Sequence, residues 1–119
     1  MPAITPRRVD KPWGYELIWA HTDRYVGKIL HIHQGHALSL QYHLRKDETV
    51  RVLSGILRFQ TGGEGEQLVE ARLLPGDTFH ITPLLRHRMI AEIDCDVLEV
   101  STPDLDDVVR LEDRYGRTK

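Results

Sequence analysis

The chain has 119 residues, 40% hydrophobic and 29% charged, with a net charge of -2, which is enough for one domain with its own core. A slightly acidic balance excludes a general affinity for nucleic acid or an acidic membrane surface, because both need a basic face. One cysteine, Cys95, excludes an internal disulfide framework, and "MPAITPRRV" leads into no apolar signal core.

No apolar run approaches the roughly 18 residues of a membrane span, so a soluble, cytoplasmic, single-domain protein over residues 1–119 is expected. In chain order, Tyr25 to His33 is an apolar run that ends at Gln34-Gly35, and Leu38 to His43 follows it. Thr49 to Leu53 ends at Ser54-Gly55, Ile56 to Gln60 runs into the loop "TGGEGE", and Gln67 to Leu74 reaches the turn "PGD". Thr78 to Thr82, a corner at Pro83, Arg88 to Ile93 and Val97 to Ser101 complete the series. Short strands with a turn between each describe an all-β sandwich or barrel. Only "DLDDVVRLEDRYGR" has a helical option, with Val108, Val109 and Leu111 as a weak apolar face.

Strand periodicity places a polar set on one face. Side chains two apart point the same way, so Gln41 and His43 share a face, and a tight turn returns Glu48 beside His43. An amide oxygen, an imidazole and a carboxylate from neighbouring strands suit a divalent metal. A fourth ligand is available in the second half, where "LLPGDTFHITPLLRHRM" carries His87 at the start of a strand.

The two stretches "GHALSLQYHLRKDETVRVLSG" and "LLPGDTFHITPLLRHRM" resemble the paired motifs of the cupin superfamily. Gln41 stands in the place of the first histidine, His43 in the second, Glu48 in the acidic position and His87 in the last. A Gln, His, Glu, His set is similar to the metal site of mannose-6-phosphate isomerases. "KPWGYE", "LSLQYH" and "LEVSTPDLDDVVRLEDRYGR" resemble the isomerase domain of the type II enzymes, often fused behind a mannose-1-phosphate guanylyltransferase. Two departures stand out: "QYHLRKDETV" loses a histidine and an aromatic found in the family, and Leu84-Leu85 replaces a glycine-bearing corner.

The resemblance implies a double-stranded β-helix, or jelly-roll cupin barrel, with a short C-terminal segment. It implies one divalent ion (Zn, Mn, Fe, Ni or Co) held by Gln41, His43, Glu48 and His87, and a homodimer. The implied reaction interconverts an aldose and a ketose phosphate, with the base either a water at the metal or Glu48. Lys28 and Arg110 are candidates for the phosphate of a sugar-phosphate substrate. Lys28 is singled out because it shares parity with Leu30 and Ile32, and a buried lysine is costly unless paired. Arg110 is singled out because it is a basic group within an acidic stretch. The rival readings are a non-catalytic sugar-binding or regulatory cupin and a metal-dependent dioxygenase-type cupin.

The remaining chemistry-bearing residues have plainer readings. Trp13 reads as a packing anchor, Tyr42 as core or interface, and His21, His36 and His80 as surface. His31 and His33 alternate with Leu30 and Ile32 and face outward. Asp94 and Asp96 flank Cys95 and raise its thiol pKa, which argues against a nucleophile. Leu40, Val50, Val52, Leu57, Phe59, Phe79, Ile81 and Val97 are the expected core.

Overall fold

The computed structural model describes residues 3–118. Among them are eleven strands and no helix. In order these are β1 (Arg7–Lys11), β2 (Gly14–His21), β3 (Val26–Ile32), β4 (Leu40–Tyr42), β5 (Glu48–Ser54) and β6 (Leu57–Gly62). There follow β7 (Val69–Leu73), β8 (Thr78–Ile81), β9 (Arg86–Ala91), β10 (Cys95–Ser101) and β11 (Val109–Glu112). They build a six-stranded sheet, β1-β2-β3-β10-β5-β8, and a five-stranded sheet, β11-β4-β9-β6-β7. From β3 onward each strand lies in the opposite sheet from its predecessor, except at the β6–β7 hairpin. That winding is a jelly-roll double-stranded β-helix of the cupin type.

The inward face follows from period-two patterning. Leu30 and Ile32 on β3, Val50 and Val52 on β5, Leu57 and Phe59 on β6, Met89 and Ala91 on β9 and Val97 on β10 are all buried. Apart from Ala91, each contributes roughly 1.5–3 kcal/mol relative to exposure. Phe79 packs edge-on against Phe59, with centroids 4.8 Å apart. Trp13 is buried in the same cluster. Gly14, beside it, has φ 152°, and a Cβ there would meet the His31 carbonyl oxygen at 1.8 Å. That close approach explains the glycine of "KPWGYE".

Two elements are settled by the structure rather than by pattern. The helical option of the C-terminal stretch is not taken: Val109–Glu112 forms β11, paired antiparallel with β4. Its apolar residues are too few to bury a helix face, whereas β-branched Val109 suits an edge strand. At the other end, Arg7–Lys11 and Gly14–His21 form a β-hairpin added to the sheet beyond β3, although charged residues interrupt the apolar pattern there.

Inward positions change character along the barrel. Ile32, Val52, Val97 and Cys95 fill one end, while Lys28 on β3, Glu99 on β10 and Glu48 on β5 occupy inward positions at the other. The polar end is where a site can form.

Candidate metal centre and cavity

His43, Glu48 and His87 are buried at the polar end, and their ligand-type atoms lie within 4.8 Å of one another. β4 hands the chain to His43, the turn through residues 44–47 returns it on β5 at Glu48, and His87 arrives on β9 directly across from Gln41. The second ring nitrogen of each histidine is engaged. His43 Nδ1 donates to the Asp107 carbonyl at 2.5 Å, and His87 Nδ1 donates to the Leu85 carbonyl at 3.0 Å. Both Nε2 lone pairs are therefore left facing inward, the arrangement that orients metal-ligating imidazoles.

His43 Nε2 and Glu48 Oε2 approach to 2.8 Å. With Nδ1 carrying the proton, that pair of atoms has no hydrogen to share. His43 Nε2, Glu48 Oε2 and His87 Nε2 are all buried without a hydrogen-bond partner. A buried polar atom left unsatisfied costs about 1–3 kcal/mol, and a divalent cation among three such atoms would satisfy all of them. The donor set fits a metal.

The ionisation states agree. Burial pushes the His87 imidazole below its ordinary pKa, which keeps it neutral and ready to ligate. Burial alone would raise the Glu48 carboxyl, but His43, Lys46 and His87 beside it hold it down to about 2.

Gln41, the fourth expected ligand, is half-buried on the wall of the adjoining cavity, and its Oε1 accepts a hydrogen bond from Ser39 Oγ at 2.9 Å. The cavity holds about 230 Å³ and is also lined by Glu48, Lys28, Lys46, Glu99, Glu16 and Arg110. Lys28 is buried there and paired with Glu16 at 3.1 Å. Arg110 sits on β11 in register with Gln41, and its Nε is buried without a partner. The structure thus brings the phosphate candidates Lys28 and Arg110 to one cavity with Gln41 and Glu48. Tyr42 faces a different groove, beside Leu84 and Arg86.

Three site residues escape sequence reasoning. Lys46 is buried, 3.0 Å from Glu99 and 3.6 Å from Glu48. Burial opposes its charge, but the two carboxylates outweigh burial and raise its pKa. Glu99 is fully enclosed, and burial together with the Glu48 charge raises its pKa. The third is Asp107, whose carboxylate accepts hydrogen bonds from the backbone N–H groups of Leu44, Arg45 and Lys46. Those bonds, first the one from Leu44, hold its pKa down to about 2. Asp107 thereby fastens the turn between His43 and Glu48 while its carbonyl orients His43. The inward parity of Glu99 in "VLEVS" is the one signal that could have found any of these.

The family model described as Mannose-6-phosphate isomerase C-terminal matches residues 3–113. The chain belongs to that family. Mannose-1-phosphate guanylyltransferase ManC of Salmonella typhimurium is 36% identical over 117 residues, covering 93% of this chain and 23% of that protein. Xanthan biosynthesis protein XanB of Xanthomonas campestris (strain B100) is 32% identical, covering 94% of this chain and 24% of its own length. The chain thus spans about a quarter of these relatives. Among solved structures, KdgF from Halomonas sp. superposes with TM-score 0.72 at 27% identity, covering 84% of this chain and 90% of that one. Oxalate decarboxylase from Bacillus subtilis superposes with TM-score 0.79 at 16% identity over 96% of this chain and 32% of its own, a likeness of fold.

Proposed function

We propose that this member of the family is a single-metal sugar-phosphate isomerase that interconverts an aldose and its ketose, with mannose 6-phosphate as the first substrate to test. The observation that carries the reading is the convergence of three orphaned ligand atoms beside a cavity of mixed charge whose wall also carries the unpartnered Arg110 Nε. His43, Glu48 and His87 would hold the ion, with Gln41 the fourth ligand. When bound, the ion supplies Lewis acidity toward the sugar oxygens.

The isomerisation moves a hydrogen from C2 to C1 as a proton, and a hydroxyl proton from the C2 oxygen to the C1 oxygen, so nothing is gained or lost. Negative charge develops on those oxygens between the two transfers. The Lys46 ammonium, held charged by Glu99 and Glu48, stands where it can stabilise that charge. Glu48, with a pKa near 2, is suited to ligation and is a weak base. Burial and the Glu48 charge raise the Glu99 carboxyl pKa, the direction that favours a proton-exchanging group. Arg110, with its unpartnered Nε in the cavity wall, would receive the phosphate, because a guanidinium binds phosphate in bidentate fashion where a lysine does not.

The test is elemental analysis of the purified chain together with a coupled isomerase assay. Metal plus turnover is expected, with Arg110→Lys raising KM about tenfold while kcat stays within about twofold. A metal-loaded protein without turnover would favour a sugar-binding cupin. One observation supports that second reading: the two buried lysines of the cavity are already ion-paired, Lys28 with Glu16 and Lys46 with Glu99.

A further inference from the structure

His31, His33 and Asp94 form a second group whose ligand-type atoms lie within 4.8 Å of one another. It sits on the outside of the barrel, at the opposite end of β3 and β10 from Glu48. Ile32 pairs with Cys95 at this end, and Val26 and Glu48 both pair with Ser101 at the other. Six residues of strand separate the two ends, about 20 Å at the rise of an extended chain. The outer group is therefore distinct from the cavity.

The local structure is built for ligation. His31 leaves β3 on the outer face, and His33 follows two residues later. Asp94 lies in the turn before β10, where Gln34 N–H donates to its Oδ1 at 2.7 Å and holds it over the end of β3. His31 Nδ1 pairs with Asp96 Oδ1 at 2.8 Å, and Ser54 Oγ donates to the other Asp96 oxygen at 3.2 Å. The carboxylate fixes the His31 tautomer with the proton on Nδ1, so Nε2 presents its lone pair. A carboxylate behind a histidine in this way raises ligand basicity and orients the ring. Tyr15 stacks on the His31 ring at 5.0 Å and limits its rotation.

We infer that His31, His33 and Asp94 form a second, surface metal site for an imidazole-preferring divalent ion of the zinc class, with Asp96 as the residue that positions His31. Two imidazoles and one carboxylate match the donor preference of Zn²⁺ and disfavour a hard ion such as Mg²⁺. The charges nearby are mixed. Asp94 and Asp96 favour a cation, while Arg8, whose guanidinium lies 4.0 Å over the Tyr15 ring, opposes one.

The experiment is a Zn²⁺ titration of the chelator-stripped chain by calorimetry and by competition with a chromophoric chelator. Wild type should take up two equivalents, and His43→Ala/His87→Ala should retain one. In that background, adding His31→Ala/His33→Ala should abolish the remaining equivalent, and Asp96→Ala should weaken it about tenfold, the range seen when a group supporting a ligand is lost. Circular dichroism of each variant before titration checks the fold. If a variant fails to fold, the ¹⁵N shift of His31 Nε2 in the wild type decides instead, since it must move with the second equivalent. The inference is overturned if His43→Ala/His87→Ala binds no zinc tighter than about 100 μM, if uptake survives loss of both outer histidines, or if the His31 resonance does not move.

Discussion

The inner and outer clusters use the same donors, two imidazoles and one carboxylate, yet their situations are opposite. Inside, His43, Glu48 and His87 are buried, and none of the three inward atoms has a partner. Outside, His33 and Asp94 are exposed and His31 is half-buried, so water can satisfy the same atoms at little cost. Burial turns the inner donors into groups that need a cation, because desolvated lone pairs carry a penalty. Exposure leaves the outer donors content without one. The inner ion should therefore bind far more tightly and matter more to stability.

The largest expected effect separates the two clusters directly. His43→Ala/His87→Ala should strip the inner metal and abolish the proposed isomerase turnover, while His31→Ala/His33→Ala should leave kcat/KM for that proposed reaction unchanged and shift stability within about 0.5 kcal/mol, as surface changes usually do. Elemental analysis and steady-state kinetics check both halves. Full metal content in the inner variant would break the assignment.

Next comes Lys46→Met. It leaves Glu48 and Glu99 buried beside each other without their cation, and breaking a buried pair in this way costs about 3–5 kcal/mol. Urea denaturation of the stripped protein measures the loss. Lys46→Met/Glu99→Leu should recover only part of it, since it removes the Glu99 charge and its repulsion but still leaves Glu48 without its ammonium. The outer cluster is held instead by exposed or half-buried contacts, Asp96 on His31 and the Gln34 N–H on Asp94.

The acid side of the stability curve sharpens the contrast further. Glu48 has a depressed folded-state pKa, so its contribution is fully present above the ordinary carboxylate value of 4.5 and is lost as pH falls toward about 2. In chelator-treated protein, stability should fall across that window, and Glu48→Gln should flatten the slope. An unchanged slope would show that Glu48 is not held as its surroundings require.

The smallest expected effect is a gain. Leu84 has φ 72° at the corner where the resembling family carries glycine, and its N–H donates to the His43 carbonyl at 2.8 Å. A left-handed conformation costs a branched residue about 1–2 kcal/mol, part of which glycine returns as chain entropy. Leu84→Gly should stabilise the protein by about 1 kcal/mol, raising Tm by about 4 °C, with metal content unaltered. A thermal melt decides it.

Local pattern sufficed wherever a single strand carried the information. Alternation in β3, β5, β6 and β10 identified the buried faces, and period two put Gln41 and His43 on one face, whereas the full set with Glu48 and His87 was implied by the resemblance to the paired cupin motifs. Lys28 was singled out by the same parity and is indeed buried. The β1–β2 hairpin and β11 became strands only through pairing with β3 and β4, since their own patterns are weak and edge strands gain order from their neighbours. Lys46, Glu99 and Asp107 have no local mark of their role. Lys46 acquires it from two carboxylates on β5 and β10, and Asp107 from three N–H groups more than 60 positions away in the chain. The tertiary fold likewise decided that Asp94 and Asp96 meet His33 and His31, because antiparallel registry between β3 and β10 joins segments distant in sequence. Side-chain direction is set residue by residue, whereas electrostatic partnership depends on which strands are neighbours.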